Sequence, residues 1–181
     1  DFLEEKYELI KWMKNHPDVR FSIHTNGINL SPEITDMIKN NFSRIGVSLH
    51  SVNFESWNRI TNPTGKMPEE LQKEKFKKTI KNLEYLSKQN IGEKVFLKSV
   101  IIRGINDSEE ELKLFLEFCK KLKFHPKLLQ FDPQYPSQKK LQVKRKELFE
   151  NLQKIGTKFD KDVPFHNDPK TYLPGVNFSY N

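Results

Sequence analysis

Four short runs rich in β-branched and aromatic residues, RFSIHT, RIGVSLHS, KVFLKSVII and KLLQFD, are separated by segments of helical hydrophobic spacing. A parallel strand pair needs a crossover of about a dozen residues or more, usually a helix, so this alternation specifies an α/β fold around a parallel sheet. Leu3, Tyr7, Ile10 and Met13 recur at helical spacing until His16-Pro17 ends the run. Ser31-Pro32-Glu33 reads as an N-cap with proline at the first helical position, opening a helix to about Asn41. A long polar connection with a helical turn around Trp57 precedes an amphipathic helix marked by Phe76, Ile80, Leu83 and Leu86. Ser108 and Glu111 form a capping-box pattern ahead of Leu112, Phe115, Leu116, Cys119 and Leu122. Leu141 to Ile155 supplies a last helix, and the sequence from Thr157 onward reads as irregular.

Two architectures satisfy that order, an open sheet covered on both faces or a barrel of βα units. A strand covered on both faces reads as nearly continuous apolar sequence. Here side-chain parity separates two chemistries. Ser22, His24 and Asn26 alternate with Phe21 and Ile23, and Ser48 and His50 with Val47 and Leu49. Lys98 opposes Leu97 and Ser99, and Gln130 and Asp132 oppose Leu129 and Phe131. One face is apolar and the other turns polar toward the C-terminal ends, where βα barrels carry their sites. The reading is a partial (β/α) barrel of four parallel strands with outer helices over residues 1–157, followed by an irregular segment, 158–181. His24, Thr25, Asn26, Ser48, His50, Lys98, Arg103, Gln130 and Asp132 would ring its mouth.

Composition narrows the function. No apolar run nears the ~20 residues of a bilayer span and no signal peptide is apparent, so no membrane partner is expected. The single cysteine, Cys119, rules out an internal disulfide, suits a reducing cytoplasm, and lies on an apolar helix face. The net charge of +7 is concentrated between Lys120 and Lys146, with nine Lys/Arg against Asp132 alone. No RNP aromatic pair, GXXG loop or zinc-finger spacing accompanies it, so solvated helix faces explain the charge better than nucleic acid does.

No P-loop, G-x-G-x-x-G, H-E-x-x-H or G-x-S-x-G motif is present. The strand ends offer two histidines, one aspartate and one lysine, thin for a metal site. Ser48 donates and accepts, Lys98 is a cation, and Asn26-Gly27 lets backbone approach a ligand. Such groups suit a zwitterionic or anionic small molecule.

The ordered combination HTNGINL, RIGVSLHSVNFESWNRITN, VFLKSVIIRGINDSEEELKLFLEFCKKL and KLLQFDPQYP resembles the second half of a radical S-adenosylmethionine (SAM) enzyme core. It is similar to the branch containing the molybdenum-cofactor GTP cyclase, as is the closing YLPGVNFSYN, so that the resemblance runs from Phe21 to Asn181. It implies strands three to six of a (β/α)6 partial barrel, and reductive cleavage of SAM at a 4Fe–4S cluster to give a 5′-deoxyadenosyl radical. By resemblance Ser48 contacts the methionine part of SAM, Lys98 is a candidate for its carboxylate, and the backbone around Asp132 lies near the adenine. Asn26 falls at the cofactor–substrate boundary with His24 and Thr25. His50, Arg103 and Gln130 are substrate-side candidates. Partners would be a small-molecule or peptide substrate and a reductant for the cluster.

The sequence also departs from the family. The three cluster cysteines, spaced C-x-x-x-C-x-x-C after the family's first strand, are absent, so one copy of this chain cannot hold a cluster by three thiolates. His50 stands where the cyclase branch often has Asp, and Phe96 aligns with its lysine, which argues against GTP. The expectation is a chain that starts after the family's second strand and is inactive alone. The alternatives are a cluster-less degenerate core binding RNA or protein, and a different α/β-barrel enzyme using His24, His50 and Asp132 in acid–base chemistry.

Overall fold

A computed structural model describes residues 2–156, with side chains from residue 8 onward. Within it four parallel strands, β1 (Ser22–Thr25), β2 (Arg44–Ser48), β3 (Val95–Ile101) and β4 (His125–Gln130), pair in sequence order in one open sheet. The helices are α1 (Phe2–Lys14), α2 (Pro32–Asn41), α3 (Phe54–Thr61), α4 (Glu69–Ser87), α5 (Glu109–Leu122) and α6 (Arg145–Lys154). Short 3-10 turns span Gly92–Lys94 and Pro136–Leu141. The expected irregular segment 158–181 lies outside the described residues, as does the YLPGVNFSYN stretch.

Each strand joins its spatial neighbour through a crossover, and crossovers are right-handed almost without exception. Strands laid down side by side in one direction therefore send the intervening helices to one face. The register makes that face explicit. Ile23 pairs with Ile45, Ile45 with Val95, and Val47 with Leu97, which pairs with Pro126. Ile45, Val47, Leu49, Val95, Leu97 and Ile101 are buried in one core with Ile38 of α2, Leu83 and Leu86 of α4, and Leu112 and Phe115 of α5. β3 alternates buried and half-buried from Val95 to Ile101 without a break. This is the one-sided cover of a barrel wall and excludes the doubly covered sheet.

The helix boundaries follow local chemistry. Ser31 caps α2 through the Ile34 amide, and Asn53 caps α3 through the Glu55 and Ser56 amides. The helical turn expected at Trp57 is a helix of eight residues, closed onto α4 by Phe54, Trp57 and Phe76 with ring centroids 5.4–6.5 Å apart. Ser108 accepts from the Glu111 amide as expected, but Glu111 does not complete the capping box. Its carboxylate instead takes the Ser51 hydroxyl at 2.7 Å and the Ser56 hydroxyl at 2.8 Å, tying α5 to the segment after β2. The last helix starts at Arg145 rather than Leu141, because Gln142 and Val143 serve the sheet instead. Gln142 bridges Ile102, and the Val143 carbonyl accepts from the Gln130 amide.

Leu97 is fully buried at the centre of the sheet. Leu97→Ala should lower unfolding free energy by about 3 kcal/mol through lost transfer energy and a residual cavity, read as a shift in urea midpoint with an unchanged slope.

Candidate functional site

The face away from the helices carries Ser22 and His24 from β1, Arg44, Gly46 and Ser48 from β2, Phe96, Lys98 and Val100 from β3, and His125, Lys127 and Leu129 from β4. Apart from Gly46 these residues are half-buried or exposed. Ser48 and Lys98 are register partners, and Lys98 in turn pairs with Lys127. Parity reasoning thus places Ser48, Lys98 and His24 together.

Lys98 does not stand upright beside Ser48. Its Nζ lies 2.5 Å from His24 Nδ1, so the ammonium donates to a neutral imidazole across the intervening strand. Gly46, between the two, makes this possible. A Cβ there would lie 2.7 Å from Lys98 Cε and 2.9 Å from Nζ, closer than real contacts permit. The ammonium occupies the space a side chain at position 46 would fill. Burial and the nearby Lys98 and Lys127 charges hold the His24 imidazole below its ordinary pKa, which keeps Nδ1 an acceptor. Partial burial lowers the pKa of Lys98. Lys127 is lowered by burial and by the positive charges of Lys98 and Arg44. Toward the N-terminal ends, Arg44 sits over the Phe96 ring at 5.4 Å, and Phe96 stacks on His125 at 5.1 Å.

The remaining candidates are placed differently. Gln130 pairs with Ile101 and therefore belongs to the covered side, where its amide donates to Val143; Leu129 is the residue that shares the face of Lys98. Asp132 is exposed in the loop after β4, beyond the reach of strand parity. Arg103 turns away and forms a two-pronged ion pair with Glu147 of α6, at 2.7 and 2.6 Å, while its Nε and Nη2 donate to the Gln142 carbonyl. Thr25 and Asn26 shape the turn: Thr25 Oγ1 accepts from the Gly27 amide and Asn26 Oδ1 from that of Ile28. Gly27 adopts a positive φ of 81° there.

His50 lies past the end of β2 in a left-handed conformation, φ 68°. The strands have begun to diverge, and its Nδ1 accepts from the Val100 amide, extending the ladder with a side chain. Its carbonyl accepts from the Ser99 hydroxyl and from Asn106 Nδ2. Asn106, buried in the G-I-N-D stretch, also donates to the Val100 carbonyl and accepts from the Ile102 amide. His50 and Asp132 therefore do not assemble with His24 into an acid–base set. The basic segment is likewise dispersed over α5, β4, the Pro136–Leu141 turn and α6, with Lys121 paired to Glu84.

Sequence reasoning missed Gly46, Lys127, Asn106 and the Ser51–Ser56–Glu111 knot. The period-two spacing of His125, Lys127 and Leu129 was the available signal for Lys127. The buried Cys119 thiol, its pKa raised by desolvation, is no cluster ligand, and no group of three His, Cys, Asp or Glu could hold a metal among the described residues. A 4Fe–4S cluster does not fit the residues of this chain.

Two outcomes follow from the imidazoles. Lys98→Met should raise the His24 pKa, because it removes one of the charges depressing it; a histidine NMR titration reads this directly. His50 is also depressed, by burial. A folded-state pKa below the unfolded one means that protons favour unfolding. The stability held by neutral His50 should be complete above about pH 6.5, its ordinary value, and fall as pH drops below it. Urea midpoints at several pH values check this, and His50→Gln should flatten the dependence.

Residues 1–119 match the family model described as the Radical SAM superfamily. No curated protein matches the chain at a significant level. Among solved structures, the chain is similar to a domain of pyruvate-formate lyase-activating enzyme from Bacteroides vulgatus, with 17% identity and a TM-score of 0.58 over 85% of this chain and 87% of that one. It is also similar to TYW1 with a lysine-pyruvate adduct bound, at 19% identity and TM-score 0.57, covering 82% of this chain and 43% of that one. A radical SAM methyltransferase from Sphaerobacter thermophilus aligns at 19% identity and TM-score 0.50, covering 75% and 37%. The chain thus spans less than half of the last two proteins. Identities this low speak for the fold, an open parallel sheet with outer helices like that of a partial barrel, and do not single out the GTP cyclase branch. The matched family model decides the larger question: this chain belongs to the Radical SAM superfamily.

Proposed function

We propose that these 181 residues form the SAM- and substrate-facing wall of a radical SAM enzyme whose cluster is held by cysteines outside them. The observation that supports this most directly is the uncovered sheet face, with Ser48 at the C-terminal end of β2 and its register partner Lys98 reaching across the same face to His24. In this reading Ser48 donates to the methionine part of SAM, and the main chain beyond β4, around Asp132, borders the adenine. A cluster held by residues other than these would supply the electron that cleaves SAM. The residues of this chain bind and orient SAM, and the apolar side chains Val100 and Leu129 keep water from the reaction zone. The net donor character of the site agrees, since a carboxylate-bearing ligand is best held by hydroxyl and ammonium donors.

The cysteine count fixes the test. The 181-residue chain should show no cluster absorbance after anaerobic reconstitution and make no 5′-deoxyadenosine from SAM and dithionite. The same chain joined to an N-terminal segment carrying C-x-x-x-C-x-x-C should gain both. In that extended protein Ser48→Ala should weaken SAM binding about tenfold, as expected for losing one hydrogen bond to a charged group. An extended, cluster-loaded protein that never yields 5′-deoxyadenosine would sink the proposal.

A further inference from the structure

We infer that Asn106 is a positioning residue for Ser48: its buried amide holds the chain that leaves β2, and through it the direction of the Ser48 hydroxyl toward SAM. The inference rests on the enzyme reading above and adds a residue that touches no ligand but acts on one through the backbone of His50.

The joint comes first. Ser48 is held by its register with Lys98. Directly beyond it the ladder ends, and the Leu49 and His50 amides both donate to the one Lys98 carbonyl, at 3.1 and 3.0 Å. At Ser51 the chain is fastened again, by the Glu111 carboxylate at 2.7 Å. Leu49 and His50 thus link two fixed points, and His50 makes the turn with a φ of 68°. Asn90 and Lys123, the other non-glycine residues with positive φ among the described residues, follow helices, where that conformation is common. His50 follows a strand. A non-glycine residue stays in that region only where its surroundings over-determine it.

The fastening comes second. Asn106 is 2% exposed, and its side chain has two N–H donors and one carbonyl acceptor. The nitrogen lies 3.0 Å from the His50 carbonyl, 2.9 Å from the Val100 carbonyl and 3.2 Å from the Ser99 hydroxyl, which itself donates to His50. The oxygen accepts from the Ile102 amide at 2.8 Å. One planar amide therefore clamps the exit of β2 to the end of β3. Aspartate in its place keeps the shape and the acceptor but loses both donors, and sets a carboxylate oxygen against two carbonyls. Release of the His50 carbonyl lets φ relax, and with Ser51 still tied the change passes to Ser48. A group that binds a ligand must be held to within about 0.5 Å, so a small turn at His50 is enough to matter.

The first arm of the test uses the 181-residue chain and needs neither SAM nor a cluster. Asn106→Asp should shift the Ser48 and His50 amide resonances and speed hydrogen exchange at Leu49 and His50, with Val47 and Leu97 near wild-type rates. Leu152→Ala, which opens a cavity beneath α6, should lower the urea midpoint and leave the Ser48 resonance in place. Should Asn106→Asp not fold, Ser99→Ala removes the other donor to the His50 carbonyl and should move the same resonances less far. The second arm uses the extended, cluster-loaded protein. Asn106→Asp should weaken SAM binding about tenfold, and its combination with Ser48→Ala about tenfold as well, because both act on one contact; independent losses would multiply to about a hundredfold. Folded Asn106→Asp and Ser99→Ala that leave the Ser48 amide where it is would overturn the inference. So would multiplying losses, or SAM affinity that Ser48→Ala weakens and Asn106→Asp leaves unchanged. An extended protein that binds no SAM in any form counts against the enzyme reading instead, and the first arm still decides this one.

Discussion

Four strands laid down in sequence order, all parallel, are the constraint on which everything else in this fold depends. Once right-handed crossovers place the helices on one face, the two sides of each strand answer to different physics. The covered side must be apolar and close-packed, and Ile45, Val47, Val95 and Leu97 meet that demand with full burial. The other side is released from it. On that side the sequence can afford Lys98, Lys127, Arg44 and His24, residues that would wreck a core.

Where the sheet ends, polar groups take over from apolar packing. β2 and β3 part after Ser48, leaving backbone donors and acceptors that a continuous ladder would have paired. His50 supplies an acceptor to Val100, while Asn106 gathers the His50 and Val100 carbonyls and the Ile102 amide. Next to it, Glu111 collects the hydroxyls of Ser51 and Ser56. Buried polar groups are costly unless paired, and paired they define one geometry sharply. The consequence is positional: the chain leaving Ser48 has one path, which fixes the serine hydroxyl relative to the Lys98 row.

That division of labour explains what could be read in advance. Period-two alternation is a property of strand backbone, so inside a strand it is reliable, and Ser48 and Lys98 were legible as neighbours. The helix starts at Pro32 and Glu109 were legible for a similar reason, since Ser31 and Ser108 cap through local bonds that need no tertiary partner. Parity fails where the strand stops. His50 and Asp132 lie beyond their strands, and Gln130, at the last residue of β4, can sit on the covered side because Val143 takes its amide. Arg103 was beyond sequence reasoning because its partner, Glu147, is 44 residues away. Gly46 went unnoticed because a glycine in a strand shows only an absence; its role appears once His24 and Lys98 are seen to meet across it.

The lysine pair adds an argument about why such a face persists. Lys98 and Lys127 are register partners on the uncovered face, and both are partly desolvated. A sequence under selection for stability alone would place Thr or Val at these half-buried sheet positions, as β-propensity favours. The surrounding fold tolerates the arrangement because the buried rows beneath the sheet stabilise it far more than two partly exposed cations weaken it. The fold thus separates its two faces by side-chain parity: odd positions of β3 hold the sheet to its helices, and even positions face the open side, where Lys98 reaches over Gly46 to His24.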